Sequence, residues 1–480
     1  MAALDQLEPK KVFQFFEEMC AIPHGSGNTK AVSGWCADFA KKRGLAYHQD
    51  AANNMIIIKE ATAGYEQAEP IILQGHLDMV CEKVPECGKD MEKEGLDLAV
   101  DGDLVLAKGT TLGGDDGIAV AMAMAVLDAD DLAHPRIEAV FTVDEEIGML
   151  GAAALDVSPL KGHKLLNLDS EAEGIFTVSC AGGNMTKCTL PVRRSDFSGS
   201  ALTITVSGLI GGHSGQEIDK GRGNSNLLIG RALLAISQVT ELRLVTVNGG
   251  LKDNAIPRET TATVLVADAQ KARTAAKQLD AALRNEYRVT DEDVTLTVTS
   301  AKVADRIPMD ADSSARCVCF LSCAPDGIQA MSADIAGLVQ TSLNLGILTT
   351  REDAMAASFC VRSSVGSQKE MLRARLACLT KQLGGKTEIS GDYGAWEYRA
   401  DSPLRDLMVE VYKDQYGQAP KIEAIHGGVE CGLFSGKMPG LDCVSIGPDL
   451  TGIHTPRERL SIASTQRMWK FVVEVLKRSK

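Results

Sequence analysis

Four apolar runs in this chain end in groups that can hold a cation, and a glycine-rich loop adds another. IILQGHLDMV releases His76 and Asp78, EAVFTVDEEIG releases Glu145 and Glu146, KLLNLDSEAEG ends at Asp169, DCVSIGPDLTGIHTP ends at His454, and TTLGGDDG carries Asp115 and Asp116. Burying unpaired charge costs several kcal/mol, so strands that finish in bare carboxylates and imidazoles make poor core. At the carboxyl ends of strands in an open α/β sheet such groups face a crevice, where these folds put their chemistry.

The residue types suit a two-metal hydrolase centre. Catalytic zinc accepts imidazole and carboxylate and keeps a position open for water, and two ions about 3.5 to 4 Å apart share a bridging carboxylate. His76 and Asp169 can serve one ion, Glu146 and His454 the other, with Asp115 between them. Glu145 is then left over beside the ions, free to take a proton from the bound water. Asp78, two residues from His76, can orient that imidazole. Taken singly each has a plainer reading: HxD is short, paired glutamates usually form a solvated face, and Asp115 could cap the helix that follows. Their joint placement at strand ends favours the centre.

These groups need elements to present them. LEPKKVFQFFEEMCAI reads as a helix with Pro9 near its first turn, a second helix spans about Thr29 to Lys42, and NMIIIKE and PIILQGH read as strands. GIAVAMAMAVLDA after the glycine loop is apolar on every side, which predicts a sandwiched helix. The strand ending at Glu145, a short helix and the strand ending at Asp169 complete an α/β segment.

The middle of the chain changes texture. ALTITVSG and VTLTVTS alternate with period two, as antiparallel strands covered on one face do. NSNLLIGRALLAISQV and the run from about Ala269 to Tyr287 read as amphipathic helices over that face, ADIAGLVQTSLNLG as a later helix, and ASFCVRSS as a strand. The expected organisation is a catalytic domain in two parts, 1–185 and 385–480, interrupted by an inserted α+β domain at 186–384. Insertion at a surface loop is physically tolerated.

Bulk properties narrow the function class. A chain of 480 residues exceeds one ordinary core, and a formal charge of -14 with no basic block argues against nucleic acid and anionic membrane as partners. The 13 cysteines are odd in number and without a repeated spacing, so no disulfide framework is expected. With no secretory leader pattern and no apolar stretch of about 18 residues, a reducing cytoplasmic setting is expected.

GHLDMV, TTLGGDDG, the DEEIGMLGA run, NLDSE and GIHTP, with GLIGGHSG, NAIPRE, TSLNLG and HGGVECG, resemble the signatures of the M20 metallopeptidases, in the branch that includes the aminoacyl-histidine dipeptidases. The resemblance runs through essentially the whole chain. It implies an α/β zinc-peptidase-like catalytic domain, with a mixed sheet flanked by helices, interrupted by a lid and dimerisation domain, and two Zn2+ ions, with Co2+ or Mn2+ as substitutes. Carried over one by one, it makes His76 and Asp169 ligands of one zinc, Asp115 the bridge, Glu146 and His454 ligands of the second, Glu145 the general base and Asp78 the support of His76. Asp116 is a departure, since the nearest dipeptidase relatives often carry asparagine there.

His213 in GLIGGHSG reads from sequence alone as a glycine-turn residue. The resemblance implies that it reaches a substrate carbonyl and helps hold the oxyanion, in several relatives across a dimer. Asn254 and Arg258 in NAIPRE and His426 with Glu430 in IHGGVECG are candidate substrate contacts. Arg258 suits a free carboxylate through paired hydrogen bonds, His426 could equally pack near its glycine turn, and Asn344 in TSLNLG could order a loop. The expectation is a homodimeric dipeptidase acting on small peptides, including Xaa-His and β-alanyl-histidine types. A tripeptidase and an N-acyl amino acid amidohydrolase are the alternatives, and a thiol hydrolase built on Cys431 is discounted for want of an activating base.

Overall fold

The computed structural model describes residues 3–302 and 307–480. Two compact units emerge: residues 1–179, 398–424 and 429–480 form the first, and 180–397 with 425–428 form the second. The first and last segments of the chain therefore fold together around an insertion. The breaks lie at 179/180 and 397/398, not at 185/186 and 384/385. The physical reason is strand pairing: Gly182–Pro191 and Lys386–Tyr393 pair with each other at one edge of the second unit's sheet, so both ends of the insertion belong to it.

The first unit is built on an eight-stranded mixed sheet ordered Ala46–Gln49, Met55–Lys59, Ile137–Thr142, Ile71–His76, Lys164–Asn167, Asp442–Ser445, Ile175–Cys180 and Lys421–Ile425. Its centre is parallel. Ile71–His76 runs parallel to both Ile137–Thr142 and Lys164–Asn167, and Asp442–Ser445 runs parallel to Lys164–Asn167. Ile71–His76 and Ile137–Thr142 are buried at every residue, which explains their unbroken apolar runs. Parallel alignment brings the ends that release His76, Glu145 and Asp169 to the same edge.

The helix Gly114–Asp128 is buried from Asp116 through Leu127 and packs on both the Lys10–Cys20 helix and the Ile71–His76 strand, as an all-apolar helix must. A small four-stranded sheet joins Leu98–Asp101 and Leu104–Ala107 to Leu450–Thr451 and Arg459–Ser461, so the turn bearing His454 is anchored against the first part of the chain.

The second unit carries a nine-stranded sheet, antiparallel throughout its registered pairs, with helices Ser225–Ser237, Ala269–Glu286, Ala311–Cys323 and Gly366–Gln382. Ile204, Val264, Leu233, Leu283, Phe320 and Phe359 belong to one continuous core beneath them. The expected helix over ADIAGLVQTSLNLG is not formed: Val339–Thr350 is a strand paired with Ala354–Ser363. Its residues 341–346 are buried on both faces, so the apolar run lacks the alternation that separates a strand from a buried helix.

Candidate metal centre

Five residues of the first unit converge at the carboxyl edge of its sheet. His76 is the last residue of its strand, Asp169 follows Lys164–Asn167 by two residues, and Glu146 lies in the loop after Ile137–Thr142. Asp115 stands between the imidazoles: its Oδ1 lies 3.2 Å from His76 Nε2 and its Oδ2 3.2 Å from His454 Nε2. Asp169 Oδ1 is 3.6 Å from His76 Nε2, and Glu146 Oε1 is 3.0 Å from His454 Nε2. Each imidazole thus has its own terminal carboxylate and shares Asp115 with the other. Ligand atoms of His76, Asp115 and Glu146 all lie within 4.8 Å of one another, as do those of His76, Asp116 and Asp169.

The donors are imidazole and carboxylate only, the set that suits zinc, cobalt or manganese, and two ions placed here could draw on His76, Asp169 and Asp115 and on Glu146, His454 and Asp115. The electrostatics point the same way. With protons as the only compensating charge, burial pushes the Glu145 carboxyl up to about 9, with Asp169, Glu430 and Glu146 adding to it. Burial and the neighbouring carboxylates likewise raise Asp169 to about 6. Hydrogen bonds to Asp115 and Glu146 raise His454 to about 10. Burial opposes the charged form of His76, but Asp169, Asp115 and Asp78 outweigh it and hold that imidazole well above its ordinary value. So dense a cluster of acids calls for cations, and metal ions invert this proton logic.

The surrounding residues fix the ligands. His76 Nδ1 lies 2.9 Å from the Asp78 carbonyl oxygen and 3.6 Å from its Oδ1, so the main-chain oxygen supplies the nearer contact. The Asp78 carboxylate also fixes the loop opposite, accepting the N–H groups of Glu145 at 3.0 Å and Glu146 at 3.3 Å, and the Ser26 hydroxyl at 2.7 Å. Asp116 turns back to accept the His76 N–H at 3.1 Å, and a side chain at Gly75 would place its Cβ 2.5 Å from that carboxylate oxygen.

Glu430, expected to touch substrate, is fully buried in the first unit. It accepts from Gln74 Nε2 at 2.5 Å and from the Thr142 hydroxyl at 2.6 Å, while Asn167 Nδ2 donates to Gln74 Oε1 at 2.6 Å. Gln74, Thr142 and Asn167 lie two to three residues before His76, Glu145 and Asp169, so the network holds the three delivering strands in register.

The other candidates gather in the second unit. His213 pairs with Ala255 in a two-residue ribbon, which places Asn254 and Arg258 just beside it along the chain. Its Nδ1 accepts the N–H groups of Gly215 at 3.2 Å and Gln216 at 3.0 Å, which leaves the proton on Nε2. Burial and Arg362 lower its pKa. Asn254 and Arg258 are exposed, and Arg258 Nε donates to the Leu209 carbonyl at 3.3 Å. Asn344 is buried and orders a loop, donating to the carbonyls of Asp253 at 3.1 Å and Ala255 at 2.9 Å.

His426 Nε2 lies 2.7 Å from the Ser342 hydroxyl, and burial with Arg362 and His213 pushes its pKa down to about 4. Arg362 was missed in the sequence. It is 8% exposed, its Nη1 donates to the Tyr393 hydroxyl at 3.5 Å, and its Nε is buried without a hydrogen-bond partner among the described residues. A buried guanidinium with an open Nε donor can pair with an anion. The available signal was one arginine in the strand ASFCVRSS, otherwise made of small and apolar residues.

The family model "Peptidase family M20/M25/M40" matches residues 72–478. The cytosol non-specific dipeptidase of Escherichia coli K12 is 37% identical over 482 residues, covering 99% of both chains. The crystal structure of aminoacylhistidine dipeptidase from Vibrio alginolyticus superposes with a TM-score of 0.92 at 35% identity, covering 99% of this chain and 97% of the other. The aminopeptidase PepT of Bacillus cereus shares the fold at a TM-score of 0.55 and 15% identity, over 98% of this chain and 99% of its own.

Proposed function

The chain belongs to peptidase family M20/M25/M40, a metal-dependent hydrolase with a candidate dinuclear centre, and from that premise we propose that it is a zinc dipeptidase. The observation that carries the reading is Asp115, with one oxygen at 3.2 Å from each of two histidines that have their own terminal carboxylates. In this reading His76 and Asp169 would hold one zinc and Glu146 and His454 the other, with Asp115 available to both. Bound there, the ions would polarise a scissile carbonyl and lower the pKa of water.

The remaining steps belong to side chains. Glu145 takes the proton from the attacking water and returns it to the leaving amine. His213, with its proton on Nε2, donates to the carbonyl oxygen as negative charge develops. Arg362 pairs with the free carboxylate of the substrate, with Asn254 and Arg258 as further contacts in the same unit and His426 kept neutral beside it. Two charged termini close to one scissile bond favour dipeptides over longer chains. The similarity to the Escherichia coli and Vibrio enzymes supports dipeptides, including Xaa-His types, as substrates in a cytosolic setting; β-alanyl-histidine substrates and a homodimer with the inserted unit as lid and dimer contact rest on the motif resemblance alone.

Metal analysis joined to a substrate panel tests the reading. Two zinc equivalents with preferential cleavage of dipeptides are expected. Faster turnover of tripeptides or of N-acyl amino acids would replace the proposed substrate class, and a protein that takes up no zinc, manganese or cobalt would overturn the centre itself.

A further inference from the structure

We infer that Glu458 is a positioning residue whose single carboxylate clamps the loop bearing Asp115 to the turn bearing His454. The inference rests on the metal reading of these two residues. Glu458 Oε2 accepts the N–H groups of Leu112 at 2.7 Å and Gly113 at 3.1 Å, and Oε1 accepts those of Gly114 at 2.8 Å and Asp115 at 3.3 Å. Four consecutive amides therefore converge on one side chain that is 2% exposed. Both oxygens are taken by amides, so Glu458 acts on the centre through the backbone and not as a ligand.

The loop is shaped for this clamp. Gly113 has φ +65°, in the left-handed region, and a Cβ there would lie 2.8 Å from Met79 Sδ. A Cβ on Gly114 would lie 2.7 Å from Leu450 Cδ2 and 3.2 Å from Glu458 Oε1. On the other side, the Glu458 N–H donates to the Thr455 carbonyl at 3.0 Å and the Thr455 N–H to the Gly452 carbonyl at 3.2 Å, closing a short turn around His454. His454 itself has φ +57°. Leu460 and Ser461 then pair with Val105 and Leu104, so the turn and the strand that leads into the loop are tied directly after Glu458 as well. The carboxylate thereby sets where Asp115 Oδ2 stands relative to His454 Nε2, 3.2 Å apart.

Glutamine has nearly the same shape but only one acceptor oxygen; its NH2 would face two amide donors. Zinc titration against a chromophoric chelator, melting temperature and amide hydrogen exchange at 112–115 are to be compared for wild type, Glu458→Gln and Glu458→Asp. The second zinc equivalent should bind Glu458→Gln about 10- to 100-fold more weakly, with a smaller loss for the first and faster exchange at 112–115. Glu458→Asp, which keeps the charge one methylene short, should recover part of the affinity. Wild-type zinc affinities in Glu458→Gln would overturn the inference, whether or not exchange changes. If that variant does not fold, Gly114→Ala disturbs the same contact with the carboxylate intact, and an unchanged second zinc affinity there would overturn it equally. A wild-type protein without zinc affinity would remove the metal reading and the positioning role together, and exchange at 112–115 in Glu458→Gln distinguishes that failure from failure of the clamp.

Discussion

The Asp78 carboxylate accepts the backbone N–H of Glu145 at 3.0 Å, so the residue that follows His76 by two also sets the position of the candidate base. It accepts from the Glu146 N–H as well, while its main-chain oxygen faces His76 Nδ1. One residue therefore couples a candidate ligand of each proposed ion and the candidate base. Replacing Asp78 with Ala is expected to weaken zinc binding about 10- to 100-fold, the range usual for groups that hold metal ligands in place, and to lower turnover even at saturating zinc. Equilibrium zinc competition and kcat at high zinc check the two effects separately; unchanged values of both would remove this coupling.

Arg362 is buried without a carboxylate ion pair among the described residues, so its removal should act on substrate and leave the centre intact. Arg362→Ala should keep both zinc equivalents and lose about 30-fold or more in kcat/KM, as when one partner of a buried charge pair is lost. Arg362→Lys should recover only part, because an ammonium cannot make the paired contact of a guanidinium. A dipeptide amide, which lacks the free carboxylate, should be nearly indifferent to either change. Equal losses for dipeptide and amide would show that Arg362 does not read the carboxylate.

His426 makes stability depend on pH. Its folded-state pKa, pushed down to about 4 by burial, Arg362 and His213, lies below the ordinary 6.5, so the unfolded chain binds the extra proton between these values. Its contribution is fully present above about pH 6.5 and is lost as pH falls toward 4. The difference in melting temperature between wild type and His426→Gln, followed from pH 7 to pH 4, should shift in favour of the variant as the medium becomes acid. A constant difference would show that His426 does not titrate in this window.

Four of the five residues gathered at the centre were legible because each follows or ends an apolar run, and a buried parallel strand has few other reasons to finish in an acid or imidazole; Asp115 was legible from its glycine-rich loop. The insertion was legible from the change of strand texture and from the distance between His76 and His454 along the chain. Other features depend on packing that no local pattern records. Val339–Thr350 hid its strand character because its buried stretch has no alternation. The boundaries moved because Gly182–Pro191 and Lys386–Tyr393 pair across nearly 200 residues of intervening chain. Glu430 looked like a substrate contact in a glycine-rich motif, yet its carboxylate turns inward to Gln74 and Thr142, a direction set only when the three strands come together. Arg362 carried no motif at all, and its lack of an acidic partner among the described residues becomes visible only in the folded unit.

The most direct measurement is zinc content and dipeptide turnover of Glu145→Gln, determined on the same preparation. Glu145 stands beside the candidate ligands with a raised pKa, and none of the five metal positions requires it. Two zinc equivalents should remain bound while kcat falls by about 10²- to 10⁴-fold, the span usual for loss of a general base. Loss of a zinc equivalent from the folded variant would make Glu145 a ligand, and turnover near wild type with both ions bound would contradict its role as the base.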